Sequence, residues 1–201
     1  FMELPLLLVR DHDHRVRVFH NVCRHRGHLL VAEPCQLGHS LRCPYHSWTY
    51  ALDGSLIRTP NIGGAGVHQV EGFDLTGLGL VQVRCALWHD LVFINLDGSA
   101  GSFDEFIEPL EKRWSKLWGK TGADHLRVPD DYGSIAFDLE TNWKLAVENY
   151  LEAYHLPTVH PELNRISPLQ DHEIHISEQF AGQVSHCRSE ERRVGKECRS
   201  R

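Results

Sequence analysis

Two short stretches constrain this 201-residue chain more than anything else in it. In "CRHRG" a cysteine and a histidine, Cys23 and His25, are separated by one residue and closed by Gly27; after seventeen intervening residues "CPYH" supplies Cys43 and His46. Each stretch offers one sulfur and one imidazole beside a residue suited to a tight turn, Gly27 in the first and Pro44 in the second. Such a pattern requires two loops at β-hairpin tips, held by small sheets, each delivering one donor of each kind.

Two thiolates bind one iron of a 2Fe-2S cluster while two neutral imidazoles bind the other, which leaves the cluster less anionic and raises its potential. Cys23, His25, Cys43 and His46 match that donor set, a Rieske-type centre. A structural Cys2His2 zinc site is the competing assignment. Zinc fingers usually group two cysteines and then two histidines, whereas here each loop mixes one of each. Cys35 and Cys85 have no partner at ligand spacing and are expected to be buried thiols.

The formal net charge of -6 gives no basic footprint for nucleic acid, which is set aside. The longest apolar run, "LPLLLV" at residues 4–9, falls far short of the ~20 residues that span a bilayer. It also lacks the basic flank and cleavage site of a signal peptide, so a cytoplasmic, reducing location is expected. Because "FMELPLLLV" starts inside an apparent strand, the N-terminus is expected to be cut.

Residues 1–97 read as β-rich: "LPLLLV", "RVRVFHNV", "SWTYAL", "LGLVQVR" and "LVFINL" are separated by turn signals at Asp11 to His14, Asp53-Gly54, Gly63-Gly64 and His89-Asp90. A second domain is expected over residues 98–187. It opens on a helix with Ser102 and Glu105 in a capping-box arrangement and Phe106, Leu110, Trp114 and Leu117 on one face, kinked or delayed by Pro109. "SIAFDL" reads as a strand, "TNWKLAVENYLEAYHL" as a helix ending at Pro157, and "HEIHIS" as another strand. The fold class is α+β, with small antiparallel sheets first. Residues 188–201 carry six basic against three acidic groups and no apolar periodicity, and are expected to be a disordered or non-native tail in which Cys198 has no role.

The second domain holds its own constellation. Glu152 and His155 are three apart on one expected helix face, and His160 follows beyond Pro157. Two histidines and a carboxylate form the facial triad of non-haem Fe(II) oxygenases, with open positions for O2 and substrate. The alternative for His155 is an ordinary hydrogen-bonded histidine near a helix end. Glu148 and Asn149 flank the set, and His172 and His175 are expected at surface strand positions.

On "NVCRHRG", "CPYHSWTYALDGSL" and "NWKLAVENYLEAYHLPTVHPEL" the chain resembles the α subunits of Rieske non-haem iron oxygenases, which include the aromatic ring-hydroxylating dioxygenases; the resemblance runs from about residue 4 to 187. It implies a Rieske domain at 1–97 followed by the start of a mononuclear-iron catalytic domain, with Cys23, His25, Cys43 and His46 on the 2Fe-2S cluster and His155 and His160 on the iron. Glu152 then takes the place of the family's bridging acidic residue, which links the iron to a cluster histidine of a neighbouring subunit. A third, carboxylate ligand is expected from later in the catalytic domain, so this chain alone should turn over little.

The resemblance implies O2-dependent hydroxylation of a small organic, chiefly aromatic, substrate, with quaternary-amine mono-oxygenation or demethylation as the alternative within the family. It also implies a homotrimer or an α3β3 assembly. "NIGGAG" at residues 61–66 does not match a dinucleotide fingerprint and reads as a loop, so electrons from NAD(P)H must come through a separate reductase or ferredoxin. High-potential Rieske proteins place a serine two positions after the second histidine, where Trp48 stands here, so a potential toward the low end of the roughly -150 to +300 mV Rieske range is expected, with Tyr50 able to give one hydrogen bond to sulfur. The rivals outside the oxygenases are a Rieske ferredoxin, which leaves the second domain unexplained, and a zinc-stabilised binding module.

Overall fold

A computed structural model describes residues 4–119 and 136–186. The chain divides into two compact units, Phe1–Phe103 and Asp104–Arg201. The first holds a four-stranded antiparallel sheet in the order β1-β2-β6-β7, from β1 (Leu6–Arg10), β2 (Val16–His20), β6 (Gln82–Trp88) and β7 (Leu91–Asn95). A second sheet, β3 (Ser40–Arg42), β4 (Thr49–Ala51) and β5 (Leu56–Arg58), runs in sequence order. The β6–β7 hairpin turns on His89 and Asp90 alone, both left-handed at φ 45° and 64°, the conformation whose twist suits a two-residue connection. The alternating apolar residues of β1 and β2 put Leu7, Val9 and Phe19 into one core with Leu41, Tyr50 and Leu56 of the small sheet.

The Asp53-Gly54 turn locks onto that core. Gly54 sits at φ +90°, and a Cβ added there would lie 2.5 Å from Phe19 Cε1, a fully buried ring. Its carbonyl also accepts from Leu80 N at 2.8 Å. Gly54→Ala combines left-handed strain with overpacking and is expected to cost about 2 kcal/mol, read as a lower urea midpoint at unchanged slope.

In the remainder, α1 (Phe103–Trp118) continues through Pro109 without a break. Ile107 is its buried residue, with Phe103, Leu110 and Trp114 partly buried, while Phe106 is exposed, so the inward face is rotated from the one expected. The period of 3.6 places Phe103, Ile107, Leu110 and Trp114 on one stripe, and Phe103 also packs on Phe93. The side chain of Leu117 lies outside what is described. Beyond it come α2 (Trp143–Leu151), α3 (Leu156–Val159), α4 (Pro161–Ile166), a short 3-10 turn, and the hairpin β8 (His172–Ile176) with β9 (Ala181–Ser185). The fold class is α+β.

The long helix expected to end at Pro157 is two shorter ones. After Leu151 the backbone goes extended at Glu152 (φ -108°, ψ 150°), whose carboxylate accepts from the His155 N–H at 3.3 Å and starts a new turn. Pro157 lies in the first turn of α3, where its missing N–H is no loss. Of "SIAFDL", residues 134 and 135 lie outside the described residues and 136–139 have no regular structure. Residues 120–133 and the expected tail at 188–201 are likewise outside them. Among the described residues no helix is long and apolar enough to cross a membrane.

Candidate metal centres

The two Cys/His stretches form loops with one shared hydrogen-bond plan. Cys23 N donates to His28 O (2.8 Å) and Gly27 N to Cys23 O (3.0 Å); Cys43 N donates to Trp48 O (2.8 Å) and Ser47 N to Cys43 O (3.0 Å). Each loop therefore closes with the same offsets from its cysteine. The closing residue is left-handed in both, Gly27 at φ 69° and Ser47 at φ 59°. Glycine meets that demand freely, whereas a serine there carries a small strain held by the surrounding bonds. Ser47 was not singled out from the sequence, although its place four residues after a cysteine matches that of Gly27.

The donors come together. Cys23 and Cys43 are 2% and 1% exposed, and burial pushes the Cys43 thiol up, with Cys23 adding to the shift. The rings of His25 and His46 meet edge-on with centroids 4.6 Å apart. Trp48 stacks flat on His25 (4.7 Å, 8°) and Tyr45 covers His46 (3.8 Å), so an aromatic ring fixes the plane of each imidazole. Burial, then the neighbouring His46 and Arg26, holds His25 below the usual histidine range and favours the neutral ring that a metal requires.

Nδ1 of His25 and Nδ1 of His46 are both buried without a hydrogen-bond partner. An unpaired buried nitrogen costs roughly 1–3 kcal/mol, so two of them, on the same loops that carry two buried thiols, fit a group that supplies a metal bond to each. Among the described residues no three His, Cys, Asp or Glu side chains converge on a point one ion could occupy. The four donors stand as two pairs, which suits a two-iron cluster better than one tetrahedral zinc ion. Tyr50, buried on β4, places its hydroxyl 3.3 Å from Cys23 Sγ while accepting from Arg24 N at 3.0 Å, which leaves its own proton free for the sulfur. Burial and then Cys23 push that phenol well above its ordinary range, so the proton stays on.

The other cysteines separate from this set. Cys85 is half-buried with Sγ 3.7 Å from Val16 O. Cys35 is exposed, contrary to the expectation of a buried thiol: it stands in the irregular loop between β2 and β3, where no strand alternation turns it inward.

In the second unit Glu152 and His155 are in contact. One carboxylate oxygen bonds His155 Nδ1 and the other accepts from its backbone N–H. With Nδ1–H turned to the carboxylate, Nε2 carries the free lone pair. His160 links α3 to α4, and its ring lies 5.4 Å from that of His155 at 74°. Among the described residues no third donor closes on these two histidines. Glu148 and Asn149 are exposed on α2, and the Glu148 carbonyl accepts from Glu152 N. His172 is partly buried in a side-chain network that local sequence patterns do not reveal.

Two protein families match the chain: the Rieske [2Fe-2S] domain at residues 1–74 and the ring hydroxylating alpha subunit (catalytic domain) at residues 126–199. The chain is 34% identical to the glycine betaine monooxygenase oxygenase subunit of Pseudomonas aeruginosa over 92% of its length and 41% of that protein's. It is 32% identical to the carnitine monooxygenase oxygenase subunit of Acinetobacter baumannii (78% of this chain, 39% of the relative). It is 38% identical to the 2-aminobenzenesulfonate 2,3-dioxygenase subunit alpha of an Alcaligenes species (76% and 37%). A solved quaternary ammonium Rieske monooxygenase superimposes with a TM-score of 0.75 at 27% identity, over 93% of this chain and 49% of that one. The chain thus spans about two fifths of the length of these curated relatives.

Proposed function

The chain belongs to the α subunits of the Rieske non-haem iron oxygenases, and on that premise we propose that it is the electron-accepting and iron-binding part of an oxygenase acting on a small organic substrate. Cys23, His25, Cys43 and His46 hold the 2Fe-2S cluster, and His155 and His160 hold a mononuclear Fe(II). When bound, the cluster supplies one-electron transfer and the iron supplies O2 activation. The observation that carries this reading is the pair of buried, unpartnered Nδ1 atoms on the two loops that also carry the buried thiols of Cys23 and Cys43.

The chain's own groups prepare both sites. Trp48 and Tyr45 hold the imidazole planes, and the Tyr50 hydroxyl, keeping its proton, is placed to hydrogen-bond Cys23 Sγ. Trp48 fills the position of the high-potential serine with a ring that has no hydroxyl to give, which supports a midpoint toward the low end of the Rieske range. Glu152 holds the Nδ1 proton of His155 and keeps Nε2 free. By the family resemblance it also bridges to His46 of a neighbouring subunit, in a homotrimer or α3β3 assembly fed by a reductase or ferredoxin with electrons from NAD(P)H. The domain assignment is a Rieske domain over 1–97 and the start of a catalytic domain over 98–187; the family match reaches residue 199, into the stretch expected to be a tail.

The relatives' names favour a quaternary ammonium substrate: carnitine and glycine betaine monooxygenases match the chain, and the quaternary ammonium Rieske monooxygenase superimposes on it at a TM-score of 0.75. An aromatic substrate is the second reading, supported by the 38% identity to 2-aminobenzenesulfonate dioxygenase. The test is metal and sulfide analysis with low-temperature EPR of the dithionite-reduced, anaerobically purified protein. A rhombic Rieske signal is expected, with iron in excess over sulfide; a colourless zinc protein overturns the assignment. In a full-length protein carrying this sequence, with reductase supplied, glycine betaine or carnitine should stimulate O2 uptake; stimulation by 2-aminobenzenesulfonate alone reverses the substrate order.

A further inference from the structure

His172 opens β8 opposite Ser185 of β9, and both of its ring nitrogens are engaged. Nδ1 lies 3.0 Å from Gln183 Oε1, and Nε2 lies 3.0 Å from Ser167 Oγ and 3.1 Å from Ser167 O. The amide nitrogen of Gln183 donates to the carbonyl of Tyr150 in α2. Because that amide is committed there, Gln183 turns only its oxygen to the ring and accepts from Nδ1–H of His172, while Nε2 lies against the hydroxyl and carbonyl oxygens of Ser167, whose own hydroxyl donates to Ser185 Oγ. Ser167 is 4% exposed, caps the end of α4 and has its hydroxyl 2.8 Å from that of Ser185.

The two arms of this network reach the two ends of one segment. Tyr150 stands two residues before Glu152, and α4, which Ser167 ends, begins at Pro161 directly after His160. Between those anchors lie Glu152, His155 and His160, in two short helical pieces that local bonding alone would leave loose. A metal site tolerates little drift in its donors, and supporting hydrogen bonds commonly set its affinity. We propose that His172 is a positioning residue for the candidate iron site, tying both ends of the 150–167 segment to the β8–β9 hairpin through Gln183 and Ser167.

The proposal rests on the reading of His155 and His160 as metal ligands. Co(II) alone, titrated into the purified cluster-containing protein and read by its d–d absorption, is the probe. His172→Ala and Gln183→Leu are each expected to weaken Co(II) binding about tenfold, and His172→Asn, which keeps an N–H toward Gln183, to recover part of it. Amide exchange over 150–160 should quicken in the same order, with the Rieske EPR signal unchanged. If His172→Ala misfolds, Gln183→Leu carries the test, since it leaves the His172–Ser167 contact in place. Wild-type Co(II) affinity in the folded variants, in a protein where His155→Ala abolishes binding, overturns the positioning role alone. Wild-type protein binding Co(II) no better than His155→Ala overturns the iron-site reading and this proposal with it.

Discussion

Cys43→Ala is expected to give a colourless protein, with iron and acid-labile sulfide of the cluster falling from about two each per chain to background and the Rieske EPR signal lost. The loss is this complete because no other cysteine among the described residues is placed to replace the sulfur. Cys35 is exposed on another loop, and Cys85 sits on β6 with its thiol toward Val16 O. The backbone bonds that close the loop use the N–H and C=O of Cys43, which alanine keeps, so the substitution removes the ligand more than the loop. Without the cluster, Nδ1 of His25 and of His46 remain buried and unpaired, at roughly 1–3 kcal/mol each. Cluster binding is therefore also folding energy, and the variant should melt earlier, opening first at the two loops.

A companion substitution separates ligand number from ligand charge. His46→Cys keeps four donors but exchanges a neutral imidazole for a thiolate, so any binuclear cluster that forms should move toward the ~-400 mV of all-cysteine ferredoxins. A Cys43→Ala protein that keeps its colour and EPR signal would remove Cys43 from the ligand set.

The same contrast explains how much of the molecule was legible in its sequence. The cluster loops are local objects: their donors, the left-handed Gly27 and the spacing of the cysteines all lie within a few residues, and the loops form as read. The strands of β1, β2, β6 and β7 were visible because each shows an apolar or alternating run over five or more residues, whereas the three-residue β3 and β5 are too short to show one. The break in the long helix was hidden because it turns on one side chain: Glu152 spends its carboxylate on the His155 N–H, and no helix propensity scale contains that bond. The partners of His172 lie 5 and 11 residues away across a turn and a hairpin whose second strand was not foreseen, so its network had no local signal.

That side-chain bond makes Glu152 the second position where one substitution should have a large effect. Glu152→Ala removes the acceptor that holds Nδ1–H of His155 and the one that starts the turn at its backbone N–H. The ring is then free to present either nitrogen, and Co(II) affinity at His155 and His160 should fall between about tenfold and a hundredfold. Glu152→Gln keeps one acceptor oxygen for Nδ1–H but cannot also accept from the His155 backbone N–H, so its affinity should fall, and by less than that of Glu152→Ala. The bridging role by resemblance predicts a different pattern for turnover in a full-length protein carrying this sequence. O2 uptake should fall in both variants, because an amide cannot serve two imidazole N–H groups as a carboxylate does. Equal loss of metal in the two variants would mean that the charge, and not the orientation of His155, sets the affinity; unchanged affinity in Glu152→Ala would remove Glu152 from the site.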